Sequence, residues 1–174
     1  MNIVDSCGWL EYFADGPNAD FFAPAIEDIS EVIVPTISVY EVFKRILQQR
    51  REGEALQAIA VLMQGQVVAL DATLALSAAK ISAELGLPMA GSVILATARA
   101  YNALLWTQDV HFKDIEGVQY VEKRHGGERE AEDPALKGQS PAGSGSSPGG
   151  ALFLQAGASA PGLQGGPRDG GDER

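Results

Sequence analysis

Glu31-Val32-Ile33-Val34-Pro35-Thr36-Ile37-Ser38-Val39-Tyr40-Glu41-Val42-Phe43 is the stretch on which the fold turns. Glu31 to Val34 is a short, mostly apolar run rich in β-branched residues and closed by Pro35, which reads as a strand. From Thr36 the apolar residues change period. Val39, Val42, Phe43, Ile46 and Leu47 follow helical spacing until the polar Gln48-Gln49-Arg50-Arg51. A strand that feeds directly into an amphipathic helix is half of a β-α-β unit.

The same alternation continues in both directions. Asn2-Ile3-Val4 is a short strand ending in Asp5-Ser6, and Trp9, Leu10, Tyr12 and Phe13 suggest a helix that stops before Asp15-Gly16-Pro17. Asn18 to Asp28 reads as a second short helix. Downstream, Gly53 separates the first amphipathic helix from another over Glu54 to Met63, and Gln66 to Leu70 reads as a buried strand. Asp71 caps a helix with the stripe Leu74, Ala78, Ile81 and Leu85, closed by Gly86 and Pro88. Ala90 to Ala103 is a small-residue-rich helix, Ala103 to Thr107 a strand, Gln108-Asp109 a turn, and Val118 to Val121 a last strand. Strands separated by helices predict an α/β fold with a mostly parallel central sheet. Right-handed crossovers place the carboxyl ends of its strands on one edge, where ligands bind.

Glycine marks where this pattern ends. Of the 20 glycines, 13 follow residue 125, and residues 125–174 carry almost no regularly spaced apolar side chains. A Gly/Pro/Ser-rich segment of that kind cannot offset its chain entropy by burial, so the expectation is one folded domain over 1–124 and a disordered tail over 125–174. The formal net charge is −10, and up to His125 there are 16 acids against 9 bases. That balance argues against a protein gripping long nucleic acid mainly through phosphates, yet leaves room for a metal-dependent nuclease, whose carboxylates are answered by the ion. Cys7 is the single cysteine, which excludes a disulfide framework and a thiolate cluster. With no signal-like or membrane-spanning run, the chain reads as soluble and cytoplasmic, with no membrane partner.

Three acids fall at the edge where ligands are expected. Asp5 ends the first strand, Asp109 follows the strand at 104–107, and Glu41 lies one and a half turns into the helix after the second strand. Converging carboxylates without basic neighbours repel unless a cation joins them. Mg²⁺ or Mn²⁺ takes such oxygen ligands and activates water against a phosphodiester. Simpler roles stand beside this one. Asp5 is also placed to be a helix N-cap, Glu41 to pair with Lys44 or Arg45, and Asp109 to be a turn residue beside His111. Spacing alone does not choose between them.

Four blocks occur in order: Ile3-Val4-Asp5-Ser6, Pro35 to Val42, Leu87-Pro88-Met89-Ala90-Gly91-Ser92-Val93-Ile94-Leu95-Ala96-Thr97-Ala98, and Trp106-Thr107-Gln108-Asp109-Val110-His111-Phe112. Together they resemble the signature blocks of a PIN-domain protein of the VapC toxin type, over residues 1 to about 124 and none of the tail. The resemblance implies a PIN-like three-layer fold and a Mg²⁺- or Mn²⁺-dependent endoribonuclease with RNA as substrate. It further implies the toxin half of a toxin–antitoxin pair, commonly a homodimer, neutralised by a VapB-like antitoxin. By the same resemblance the acids are Asp5, Glu41 and Asp109, with Ser6 and Thr107 as polar neighbours. One position departs. Gly91 stands where the family has an acid, which removes a side-chain oxygen from the site and implies weakened activity. The alternative is therefore a catalytically inactive PIN domain that acts by binding an antitoxin or RNA. Asp114, five residues beyond Asp109, is a weaker substitute for the missing acid.

Outside the blocks the sequence says less. Lys44, Arg45, Arg50 and Arg51 form the only cationic run near the proposed site, with Lys44 and Arg45 the candidates for phosphate contact. Cys7 reads as a small buried residue. His111 and His125 are too isolated for a zinc site, no Gly-x-Ser-x-Gly elbow supports a hydrolase triad, and no glycine-rich phosphate loop is present.

Overall fold

The computed structural model describes residues 1–124. In chain order the elements are β1 (Asn2–Val4), α1 (Ser6–Phe13), α2 (Ala19–Glu27), β2 (Val32–Pro35), α3 (Thr36–Leu47), α4 (Glu52–Leu62), β3 (Gln66–Val68), α5 (Ala72–Leu85), α6 (Met89–Ala100), β4 (Leu104–Thr107) and β5 (Val118–Tyr120). Short 3₁₀ turns at Ile29–Glu31 and Val110–Phe112 complete the set. The expected disordered tail, with His125, lies outside the described residues.

All four strand pairings are parallel, and the sheet order is β3-β2-β1-β4-β5. The chain winds outward in one direction through β2 and β3, then returns past β1 to β4 and β5. The order therefore reverses between β1 and β4, and a crevice opens at the carboxyl ends of those two strands.

Strand residues alternate between two cores, as the period of two requires. Ile3, Ile33 and Leu105 join Ala78, Ile81, Ile94 and Leu95 on the α5–α6 side. Val4, Val32 and Val34 join Trp9, Phe22, Ile26, Val42 and Leu62 on the side of α1 to α4. Helices thus cover both faces, and the expected three-layer α/β arrangement is the observed one. α6 buries an unbroken run from Ser92 to Ala98, which its small and β-branched side chains permit by letting it pack closely on sheet and α5 together.

Several local expectations shift. Gly53 lies inside α4, at a first-turn position where no intrahelical N–H bond is lost, and the break falls instead at Gln48 to Arg51. β3 is shorter than the run 66–70 and only Val68 is buried, because β3 is an edge strand rather than a central one. Pro24 sits within α2 without ending it. Among the described residues no single helix is long and apolar enough to cross a membrane, and α5 and α6, which pass on composition as a pair, meet at a bend of 115°.

Candidate active site at the carboxyl end of the sheet

Strand register assembles the first part of the site. Val4 pairs with Trp106 across β1 and β4. The next residues on the two strands, Asp5 and Thr107, are therefore side by side at the crevice. Asp5 N–H donates to the Trp106 carbonyl at 2.9 Å, and Thr107 Oγ1 donates to Asp5 Oδ2 at 2.7 Å. Cys7 Sγ lies 3.1 Å from the same oxygen. Asp5 stands at the N-cap of α1, but its carboxylate makes no capping bond, so the N-cap reading fails for the side chain. It is turned into the site and is 6% exposed.

The second acid arrives from α3. Ser6 Oγ donates to Glu41 Oε2 at 2.8 Å and lies 3.3 Å from Asp5 Oδ1. A hydroxyl has one hydrogen, and the nearer oxygen takes it. Glu41 forms no ion pair with Lys44 or Arg45, so the surface-pair reading also fails. Lys44 instead lies over the Tyr40 ring, 5.5 Å from its centroid. Burial, with the Asp5 charge adding to it, raises the Glu41 carboxyl above its usual range, while Ser6 and Lys44 draw it back. No cation lies within ion-pair distance of Asp5 or Glu41 among the described residues. Two carboxylates gathered on one serine without a counter-charge favour a cation between them.

Asp109 follows Thr107 by two residues, but its side chain is turned away from the Asp5–Glu41 pair. Its N–H donates to Thr107 Oγ1 at 3.0 Å, which links the loop to Asp5 through the threonine. Its carboxylate caps the 3₁₀ turn, accepting from His111 N at 3.0 Å, and pairs with His111 Nδ1 at 2.6 Å. The turn-residue role is thus filled. Asp114 occupies a tight turn at φ 67°, a role Asp tolerates well. Among the described residues no three His, Cys, Asp or Glu side chains gather closely enough to hold a metal ion. Asp5 and Glu41 do fit a hard divalent ion as a two-carboxylate site, because Mg²⁺ accepts one or two carboxylates and fills its shell with water and phosphate oxygens.

Gly91 is the third residue of α6, and the space a side chain would take is already occupied. A Cβ there would meet Phe112 Cζ at 2.9 Å, and Phe112 is 1% exposed. The aromatic ring of Phe112, at the end of the last signature block, thus packs over Gly91.

Sequence reasoning missed a buried polar clamp behind the site. Asn18 Nδ2 donates to Gln108 Oε1 and to the Glu122 carbonyl, each at 2.9 Å. Asn18 N–H donates to Glu11 Oε1 at 3.0 Å, and Gln108 Nε2 to Glu11 Oε2 at 3.2 Å. Nothing local announces a pair 90 residues apart; Gln108, between two signature residues, was the one available hint. Beside the clamp a cleft of about 550 Å³ opens between α1 and the C-terminal half of α3, with Cys7, Gln108, Arg45 and Lys123 among its lining residues. Burial, reinforced by the Asp5 charge, pushes the Cys7 thiol far up, so it is an inert donor rather than a nucleophile.

Comparison with known proteins agrees with this fold. No curated protein matches the chain significantly. Among solved structures, a toxin–antitoxin complex from Klebsiella pneumoniae superposes with a TM-score of 0.59 at 20% identity, covering 68% of this chain and 96% of that one. VapBC2 from Rickettsia felis bound to a promoter DNA fragment gives 0.55 at 13%, covering 70% and 97%. DNA-bound VapBC from Salmonella typhimurium gives 0.55 at 14%, covering 70% and 98%. At these identities the likeness is one of fold. The PIN-domain family model matches residues 3–118, two thirds of the 174-residue chain, and the chain belongs to the PIN-domain family.

Proposed function

We propose that the protein is the toxin component of a VapBC-like toxin–antitoxin pair, a metal-dependent endoribonuclease whose activity is weakened by Gly91. The observation that carries this reading is the Asp5–Ser6–Glu41 cluster with Thr107 at the switch point of a PIN-family sheet. Asp5 and Glu41 would hold Mg²⁺ or Mn²⁺, and Asp109 would join them on releasing His111. Such an ion supplies a Lewis acid for the phosphodiester and lowers the pKa of water. The chain's own residues prepare for it: Thr107 and Ser6 fix the two carboxylates and leave oxygen lone pairs free on each. The fold likeness to toxin–antitoxin complexes supports a VapB-like antitoxin as partner, and a homodimer in the cytoplasm is the assembly that suits such a pair.

A second reading has its own support. Gly91 offers no oxygen, Phe112 fills its place, and Asp109 is engaged with His111. A PIN domain of that kind would act by binding antitoxin or RNA without cutting. RNA cleavage with Mn²⁺, measured for the wild type, Gly91→Asp and Asp5→Asn, separates the two. The expected result is little cleavage by wild type, recovery in Gly91→Asp and none in Asp5→Asn. A folded, metal-binding Gly91→Asp protein that cuts no RNA would sink the nuclease reading and leave the binding one.

A further inference from the structure

The cleft between α1 and the C-terminal half of α3 is left unexplained by the acid pair. Its volume, about 550 Å³, lies within the roughly 300–1,000 Å³ of small-ligand sites and leaves room for a few side chains. Leu10, Phe13 and Ile46 line it, each only partly buried by the core beneath. Its charged lining is balanced, with Glu11, Asp15 and Glu54 against Arg45, Arg50 and Lys123. Arg50 is already paired with Glu54 at 3.7 Å, and Glu11 accepts from Asn18 and Gln108. Such a lining draws in neither a polyanion nor a polycation by charge, and what it offers an occupant is apolar contact.

The chain itself supplies such an occupant. Lys123 lines the cleft and the described residues end at 124, so residues 125–174 start from its rim. No charged side chain lies between Lys137 and Arg168, and within that stretch Leu152-Phe153-Leu154 is the only run of consecutive large apolar residues. Phe153 is also the single Phe, Tyr or Trp of residues 125–174. Residues 125–150 join the run to the rim, and a Gly/Ser/Pro-rich linker of that length spans roughly 28 Å root-mean-square. That reach allows a return to the cleft, at an effective concentration in the mM range. A dissociation constant of about 1 mM for the run then fills the cleft about half of the time. We propose that Leu152-Phe153-Leu154 docks in this cleft of its own chain, with Phe153 against Leu10, Phe13 and Ile46. Cys7 lines the same cleft and contacts Asp5 Oδ2 at 3.1 Å, so the docked run sits beside the acid pair and narrows access to it from that side.

The test compares amide NMR spectra of the full chain with those of a full chain carrying Leu152→Ser, Phe153→Ser and Leu154→Ser together, all outside the described fold. Amide shifts are expected to differ at Leu10, Ala14, Ile46 and Gln49 around the cleft. They should coincide at Leu76 and Lys80 of α5, on the other face of the sheet. In wild type the Phe153 ring protons should cross-relax with the Leu10 and Ile46 side chains. Ala14→Phe, which fills the cleft from an exposed position, should abolish those cross-peaks and speed hydrogen exchange at Phe153 and Leu154 roughly twofold, as half-occupancy requires. Its melting temperature should equal that of wild type, which separates filling of the cleft from damage to the fold. Identical cleft shifts in wild type and the triple variant overturn the docking, and so do shift differences centred on another face. Cleft shifts that disappear as the protein is diluted overturn it too, since the run then enters the cleft of a second copy. Every one of these outcomes leaves the nuclease and binding readings of the acid pair as they stand.

Discussion

Gly91 and Phe112 govern what a single substitution does to the site. Gly91→Asp adds the carboxylate that the proposed nuclease would lack, but forces Phe112 Cζ from the 2.9 Å it would have to the new Cβ. We expect recovered RNA cleavage at a stability cost of about 1 kcal/mol, the scale of mild overpacking. Gly91→Ala is the control: it meets the same ring, gains up to about 1 kcal/mol of helix propensity, and restores no cleavage. Glu41 makes a prediction in pH. Its carboxyl is raised by burial and by Asp5, so the metal-free fold is favoured by a neutral side chain and loses that advantage as pH rises through the raised pKa. Glu41→Gln should therefore melt higher than wild type at neutral pH in EDTA, by on the order of 0.5–1 kcal/mol. The gap should close below the ordinary glutamate range, where both side chains are uncharged. A gap that widens in acid contradicts the assignment. Asp5 and Glu41 were legible as candidates because each follows a recognisable strand. Their meeting on Ser6 was not, since 35 residues separate the serine from the glutamate.

At the scale of elements, the loop Thr107–Gln108–Asp109 matters most. Asn18 holds it from the start of α2, and the Asn18 amide is bonded at both ends of the clamp while 3% exposed. Asn18→Ala leaves Gln108 and the Glu122 carbonyl short of a donor, with an expected cost of about 2–3 kcal/mol in chemical denaturation. Asn18→Asp should be no better, since an ionised carboxylate donates nothing to either acceptor. An Asn18→Ala protein as stable as wild type would show that the clamp is idle. Helix boundaries divide by cause. α5 was readable at both ends, because Asp71 accepts from Leu74 N at 2.8 Å and Gly86 takes φ 67° at the C-cap. α4 was misjudged at its start because the glycine that seemed to end α3 is tolerated in a first turn. β3 was judged buried from its valines, but edge position decides exposure, and edge position is topology.

For the whole molecule, the uncompensated acid pair links metal binding to stability. An ion that binds only the folded chain stabilises it by about 2.7 kcal/mol at a hundred times its dissociation constant. Mn²⁺ should raise the melting temperature of wild type, raise it further in Gly91→Asp, and leave Asp5→Asn unmoved. Equal shifts in all three would place the ion elsewhere. The sequence by itself determined the α/β class, the order of strands and helices and the identity of the candidate acids, because period and capping residues are local properties of the chain. Only the tertiary structure decided that Thr107 and Ser6 hold the acids, that Asp109 turns to His111, that Phe112 closes over Gly91 and that Arg45 and Lys123 share a cleft. Those contacts depend on parallel register and on helices packed across a sheet, which join residues tens of positions apart and leave no period in the sequence to read.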